Sequence, residues 1–117
     1  ILNGSFPEIH GTGQQTRDFI YVKDTIDAVI KLYPLLKPAE SINVSTDGQI
    51  SMKDVVNKIV ELMDYRGKVI NKAPRSADVE THNSSNAKIK LMIDYQLTDF
   101  ESGLANTVKW YQDNLTK

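Results

Sequence analysis

The sequence contains no cysteine. That excludes disulfide staples, thiolate metal sites and a cysteine nucleophile, and it fits a reducing compartment. No apolar run approaches the roughly 20 residues of a membrane span, and no basic-plus-apolar leader opens the chain. The first residue is Ile1 rather than Met, so the expectation is a cytoplasmic piece of something longer. Neither sign of charge dominates: 14 basic residues stand against 15 acidic ones, for a net charge of −1. A global pull toward nucleic acid or an anionic membrane is thereby disfavoured. Histidine is scarce, with only His10 and His82, and each reads as a surface or loop residue. There is no His-x-x-x-His pair, no Gly-x-Ser-x-Gly elbow and no carboxylate pair at an acid–base spacing. Metal and hydrolytic sites have no support in the sequence.

What is present is enough for one domain over residues 1–117. A chain of 117 residues can bury about two-thirds of its unfolded surface, which supports a core without staples. The glycine- and proline-bearing start reads as loop with a short strand near Glu8–His10. The β-branched and aromatic run Arg17–Val22 reads as a strand covered on both faces. Asp24 or Thr25 can cap a helix whose apolar stripe is Ile26, Val29, Ile30 and Tyr33, stopped by Pro34 and Pro38. Ser41–Ser45 reads as a short strand and Asp47-Gly48 as a turn. Ser51-x-x-Asp54 is a capping-box variant for a helix carrying Val56, Ile59, Val60 and Met63, ended by Arg66-Gly67. Lys68–Asn71 reads as a strand. Ser85 can cap a short helix with Ile89, Met92 and Ile93, with Asp94 as its left-handed end. Thr98-x-x-Glu101 is a capping box for a last helix with Leu104, Val108, Tyr111 and Leu115. Strand–helix–strand–helix, then a loop and two helices, is an α/β pattern.

Few residues carry chemistry on their own. Gly11-Thr12-Gly13 starts like a dinucleotide fingerprint, but position 16 is Thr and a strand follows where the fingerprint needs a helix. It reads instead as a tight turn. Arg17 opens a largely apolar strand. It is either an ion pair with Asp18 or Asp24 or a clamp for an anion, and its planar fork suits phosphate better than lysine would. Arg75 lies in the polar stretch from Ala73 to Ser84 and, taken alone, reads as solvated surface. The apolar stripes and Trp110-Tyr111 read as core or interface.

The segment Gly11-Thr12-Gly13-Gln14-Gln15-Thr16-Arg17-Asp18-Phe19-Ile20-Tyr21-Val22-Lys23-Asp24 resembles a motif of the extended short-chain dehydrogenase/reductases, the NAD-dependent nucleotide-sugar epimerases and dehydratases. Asn43-Val44-Ser45-Thr46, the loop Ala73-Pro74-Arg75-Ser76-Ala77-Asp78-Val79, and the tail with Phe100, Gly103-Leu104, Thr107 and Trp110-Tyr111 are similar to further family segments. Departures from the family pattern are Ser45, Ala77, Glu80, Ser85 and Asp94.

The resemblance implies an α/β C-terminal substrate-binding part with short strands and about four helices, lacking the NAD-binding Rossmann half. It implies NAD or NADP as cofactor of the longer parent and none bound by this portion. Tyr21-Val22-Lys23 is not the family's catalytic Tyr-x-x-x-Lys, so no catalytic residue is expected here. Carried over residue by residue, the resemblance implies that Arg17 and Arg75 grip the diphosphate of a nucleotide-diphosphate sugar and that Asp78 accepts from ribose hydroxyls. Gln15 lies near that site, and the backbone near Ile9 touches the base. The implied partners are that substrate, the missing Rossmann half and a second copy of the parent in a homodimer, without nucleic acid or membrane. The alternative is a non-catalytic nucleotide-binding or regulatory relative. Loss of the Rossmann half is expected to expose the Ile26–Tyr33 stripe and promote self-association.

Overall fold

The structure is a computed structural model that describes residues 1–115. It is a small α/β unit of four helices and four short strands. Strand β1 spans Glu8–His10 and β2 spans Thr16–Arg17. Helix α1 covers Val22–Leu32, β3 covers Ile50–Ser51 and α2 covers Met52–Leu62. Strand β4 is Ile70–Lys72, helix α3 is Ala87–Met92 and helix α4 is Phe100–Leu115. The strands form two separate pairs. β1 runs parallel to β4, with Ile9 opposite Asn71 and His10 opposite Lys72. β2 runs antiparallel to β3, with Arg17 opposite Ile50.

The expected strand Arg17–Val22 is mostly not a strand. Only Thr16–Arg17 pairs, and the chain then leaves the ladder to enter α1 at Val22 after Tyr21. The reason lies in two carboxylates. Asp18 turns aside to accept from the Thr46 and Asp47 backbone N–H groups, at 3.0 and 3.2 Å, and from the Thr46 hydroxyl. Asp24 does not cap α1. It reaches out to the chain before α4, accepting from Thr98 N–H at 2.7 Å and Thr98 Oγ1 at 2.8 Å. Phe19 tilts against Phe100, with ring centroids 5.8 Å apart. The densest stretch of the motif is therefore a clasp that ties three distant segments together.

The helix ends follow side-chain chemistry. Ser51 caps α2 as expected: its hydroxyl oxygen accepts from Asp54 N–H at 3.0 Å and donates to the Asp54 carboxylate at 2.6 Å. That helix ends at Leu62, four residues before the expected Arg66-Gly67, and the left-handed residue that follows is Asp64, at φ 45°. Asp94, expected in that conformation, does not adopt it. The expected Thr98 cap of α4 is replaced by Asp99, whose carboxylate accepts from Ser102 N–H at 2.9 Å, because Thr98 is already held by Asp24. The Ser41–Ser45 stretch keeps a strand-like alternation, with Ile42 and Val44 turned inward, but no ladder partners it among the described residues. Its carbonyls are held by side chains instead, Ser41 O by Lys88 Nζ and Ser45 O by Tyr95 and Asn86.

Ala28 and Leu32 of α1 and Ile89 of α3 form the best-buried core, with Ile42, Val44, Met92, Ile93 and Tyr95 packed around it. The burial ladder of α1 is thus Ala28 and Leu32, not the stripe read from the sequence. Ile26, Val29, Ile30 and Tyr33 face outward, the last two 68% and 83% exposed. Lys58 joins α2 to α4, within 3.2 Å of both Glu61 and Glu101.

Candidate functional site

At one end of the molecule the two strand pairs meet the start of α2. A tight turn makes the junction possible. Gly11 and Gly13 both adopt positive φ, 70° and 75°, which favours glycine. A Cβ on Gly13 would meet the Ile9 side chain at 2.9 Å and Lys53 Cβ at 3.1 Å. This glycine lets β1 and α2 approach each other, and β2 follows it. Gly11-Thr12-Gly13 therefore builds no dinucleotide cradle, because Ile9 and Lys53 pack against Gly13 and the turn leads into β2 rather than into a helix. The residues present do not fit an NAD pyrophosphate, and no hydride step is derived from them.

The loop after β4 closes over β2. Thr16 N–H donates to Glu80 O at 2.8 Å, His82 N–H donates to Thr16 O at 3.4 Å, and Gly11 N–H donates to Lys72 O at 2.9 Å. These bonds enclose a cavity of about 250 Å³ lined by Ile9, Gln15, Arg17, Arg75 and Asp78, together with Glu8, His10, Met52 and Val56. All five residues singled out by resemblance line this one hollow, although Arg17 and Arg75 lie 58 positions apart in the chain.

Arg17 does not pair with Asp18 or Asp24, the ion-pair partners considered from the sequence. Those two are occupied in the clasp. Its Nη2 instead lies 2.5 Å from Asp78 Oδ1, with both side chains about a quarter exposed. Its Nη1 donates to Thr16 O at 2.7 Å and Val79 O at 2.8 Å. Gln15 Nε2 donates to His10 O at 2.9 Å and to Asp78 Oδ2 at 3.2 Å. The Arg75 carbonyl accepts from Asp78 N–H at 3.3 Å, but its guanidinium makes no ion pair or hydrogen bond among the described residues. Ile9 is buried, so the backbone beside it forms part of the cavity wall. Glu8 is neutralised by Lys72 at 2.8 Å, and that bond holds its carboxyl below the ordinary glutamate value. Arg75 is then the uncompensated cation of the cavity.

Sequence reasoning missed His10, whose ring also lines the hollow and sits 3.3 Å from Ala73 O. The signal was the pairing of β1 with β4: the register that sets His10 beside Lys72 brings it to the start of the Arg75 loop. A second, larger hollow of about 780 Å³ lies between the Phe19–Lys23 segment, α2 and α4, and its lining is mainly apolar. No cluster of metal-ligating side chains occurs among the described residues, and no described helix is long and apolar enough to cross a membrane.

The chain has measurable relatives. No protein-family profile matches it. It is 30% identical over 122 residues to dTDP-glucose 4,6-dehydratase of Salmonella typhimurium, covering 97% of this chain and 34% of that protein. It is 27% identical over 107 residues to a probable GDP-L-fucose synthase of Oryza sativa, covering 92% of this chain and 33% of that protein. Among solved structures, UDP-glucose 4-epimerase of Thermotoga maritima with UDP-glucose superposes with a TM-score of 0.88 at 26% identity, over 97% of this chain and 37% of that one. MoeE5 in complex with UDP-glucuronic acid and NAD superposes at 0.82 and 27% identity, over 96% and 38%. The chain thus spans about a third of the length of these proteins, as a four-helix α/β portion that fits their C-terminal part. By sequence and by fold, the proteins this chain is similar to are nucleotide-sugar epimerases, dehydratases and GDP-fucose synthases of the extended short-chain dehydrogenase/reductase kind.

Proposed function

We propose that this chain is the nucleotide-sugar-binding portion of an NAD(P)-dependent epimerase or dehydratase, and that its 250 Å³ cavity receives the nucleoside diphosphate. The observation that carries the reading is the convergence of Arg17 and Arg75, from opposite halves of the chain, on one cavity. A diphosphate presents two anionic groups in fixed succession. Two guanidinium groups, each a planar fork of donors, match it better than two ammonium groups would. Arg75 has no partner to give up, so it offers an unspent charge. Arg17 is held in orientation by Thr16 O and Val79 O, which lowers the entropy it must lose on binding. Asp78, whose carboxylate is bonded to Arg17 and Gln15, is the group beside the diphosphate that a ribose hydroxyl meets once a ligand has entered.

The cavity is smaller than the roughly 300–1,000 Å³ of a full small-molecule site, which suits one wall of a cleft completed by a cofactor-bearing half. In the complete enzyme, nucleotide binding here supplies affinity remote from the reacting sugar carbon and positions the hexose for chemistry elsewhere. Support for NAD comes from a related structure solved with that cofactor. The test is calorimetry of UDP-, GDP- and dTDP-sugars against the longest available form of the protein, with Arg17→Ala and Arg75→Ala. Loss of one hydrogen-bonded charge on the diphosphate weakens binding by about 10- to 100-fold. Unchanged affinity in both variants removes the diphosphate assignment.

A further inference from the structure

The donors that meet at Asp78 describe an oxyanion site that is already filled. Its two carboxylate oxygens take Arg17 Nη2 at 2.5 Å and Gln15 Nε2 at 3.2 Å. Both Nη1 donors of Arg17 are spent on Thr16 O and Val79 O, and the other Gln15 amide donor is spent on His10 O. An incoming phosphoryl group that seeks the Nη2 edge of Arg17 and the Gln15 amide together therefore finds the Asp78 carboxylate in its place. That carboxylate also cancels the Arg17 charge at contact distance. Resting on the reading of this cavity as an anion site, we infer that Asp78 is an internal competitor that occupies Arg17 when no ligand is bound and is displaced by an entering phosphoryl group.

Three features of the structure support this role. Asp78 lies on an exposed loop whose other side chains, Arg75 and Val79, are also exposed, so the carboxylate can leave without opening the core. The loop keeps its backbone attachment through Thr16 N–H to Glu80 O after Asp78 departs. Departure frees one donor of Arg17 and one of Gln15 together, so the ligand replaces the broken bonds one for one. The role differs from orienting a ribose. A ribose acceptor strengthens binding of a nucleotide, whereas an internal competitor weakens binding of any anion.

Inorganic pyrophosphate, which has no ribose, separates these roles. Calorimetry of the whole chain with pyrophosphate in metal-free buffer compares wild type with Asp78→Asn, which keeps the size and removes the charge. The expected result is about three- to tenfold tighter binding by the variant, with a far-ultraviolet spectrum and thermal transition near those of wild type. A second reading uses wild type alone: pyrophosphate shifts the Asp78 carboxyl carbon resonance as Arg17 is released. Wild-type binding with equal or weaker affinity in Asp78→Asn, or a carboxyl resonance that stays in place at saturation, overturns the competitor and leaves the anion site standing. Absence of pyrophosphate binding in both proteins overturns the competitor and the anion site together.

Discussion

Replacing Asp24 by alanine removes the tie between the first turn of α1 and the entry to α4. Its carboxylate accepts two short, partly buried bonds from Thr98, at 2.7 Å from the backbone N–H and 2.8 Å from the hydroxyl. Bonds to a charged acceptor contribute about 1.5–3 kcal/mol each. The lower figure suits a partly exposed pair, so Asp24→Ala costs about 3 kcal/mol. Thr98→Ala removes only the hydroxyl bond and costs about 1.5 kcal/mol. Urea unfolding followed by circular dichroism measures both, and the double variant gives a coupling energy of about 1 kcal/mol or more. Asp27→Ala is the control. It lies in the second turn, in an exposed pair 2.7 Å from Lys31, and its loss changes stability by no more than about 0.5 kcal/mol. If Asp24→Ala loses no more than Asp27→Ala, the clasp is not what fixes α4, and the structural reading of the motif fails.

Two further outcomes follow from the same geometry. Asp99 is held below the ordinary aspartate value of 3.8, chiefly by its bonds from Ser102. A depressed carboxyl adds stability above its unfolded value that is lost as pH falls through the folded one. Asp99→Asn therefore flattens the loss of stability below about pH 4 in acid titrations monitored by circular dichroism, and an unchanged acid limb contradicts this. The outward face of α1 predicts that Val29→Lys with Ile30→Glu leaves urea stability within about 0.5 kcal/mol while reducing self-association in sedimentation velocity. Equal association in the variant removes that face as the contact.

Much of the element order was legible, and the reasons are local. The Ser51 cap and the proline stop after α1 each depend on neighbours within four residues, which capping and breaker rules can see. The misreadings of Thr98 and Arg17 share one cause: a side chain satisfied by a distant partner. Thr98 looked like a cap until Asp24, 74 positions earlier, claimed it. Arg17 looked like a neighbour of Asp18, which is held by the turn at Thr46. The stripe Ile26, Val29, Ile30 and Tyr33 has helical spacing, but spacing alone cannot say which of two apolar faces meets α3. Ala28 wins that side because its small side chain admits Ile89, which is fully buried. The five cavity residues were named through resemblance. Neither spacing nor composition brings Arg75 to Arg17, because that meeting depends on the β1–β4 register.

The parallel pairing of β1 with β4 has a kinetic consequence. Glu8 meets Ile70 across 62 positions, so closing this ladder means ordering a long loop before any bond compensates the lost chain entropy. Both helices of that loop, α1 and α2, have local contacts with which to form early. The wall bearing Ile9 and the segment leading to Arg75 come together only once this ladder zips. The proposed anion pocket is therefore among the last parts of the chain to assemble, and a refolding experiment should regain helical ellipticity before it regains affinity for pyrophosphate.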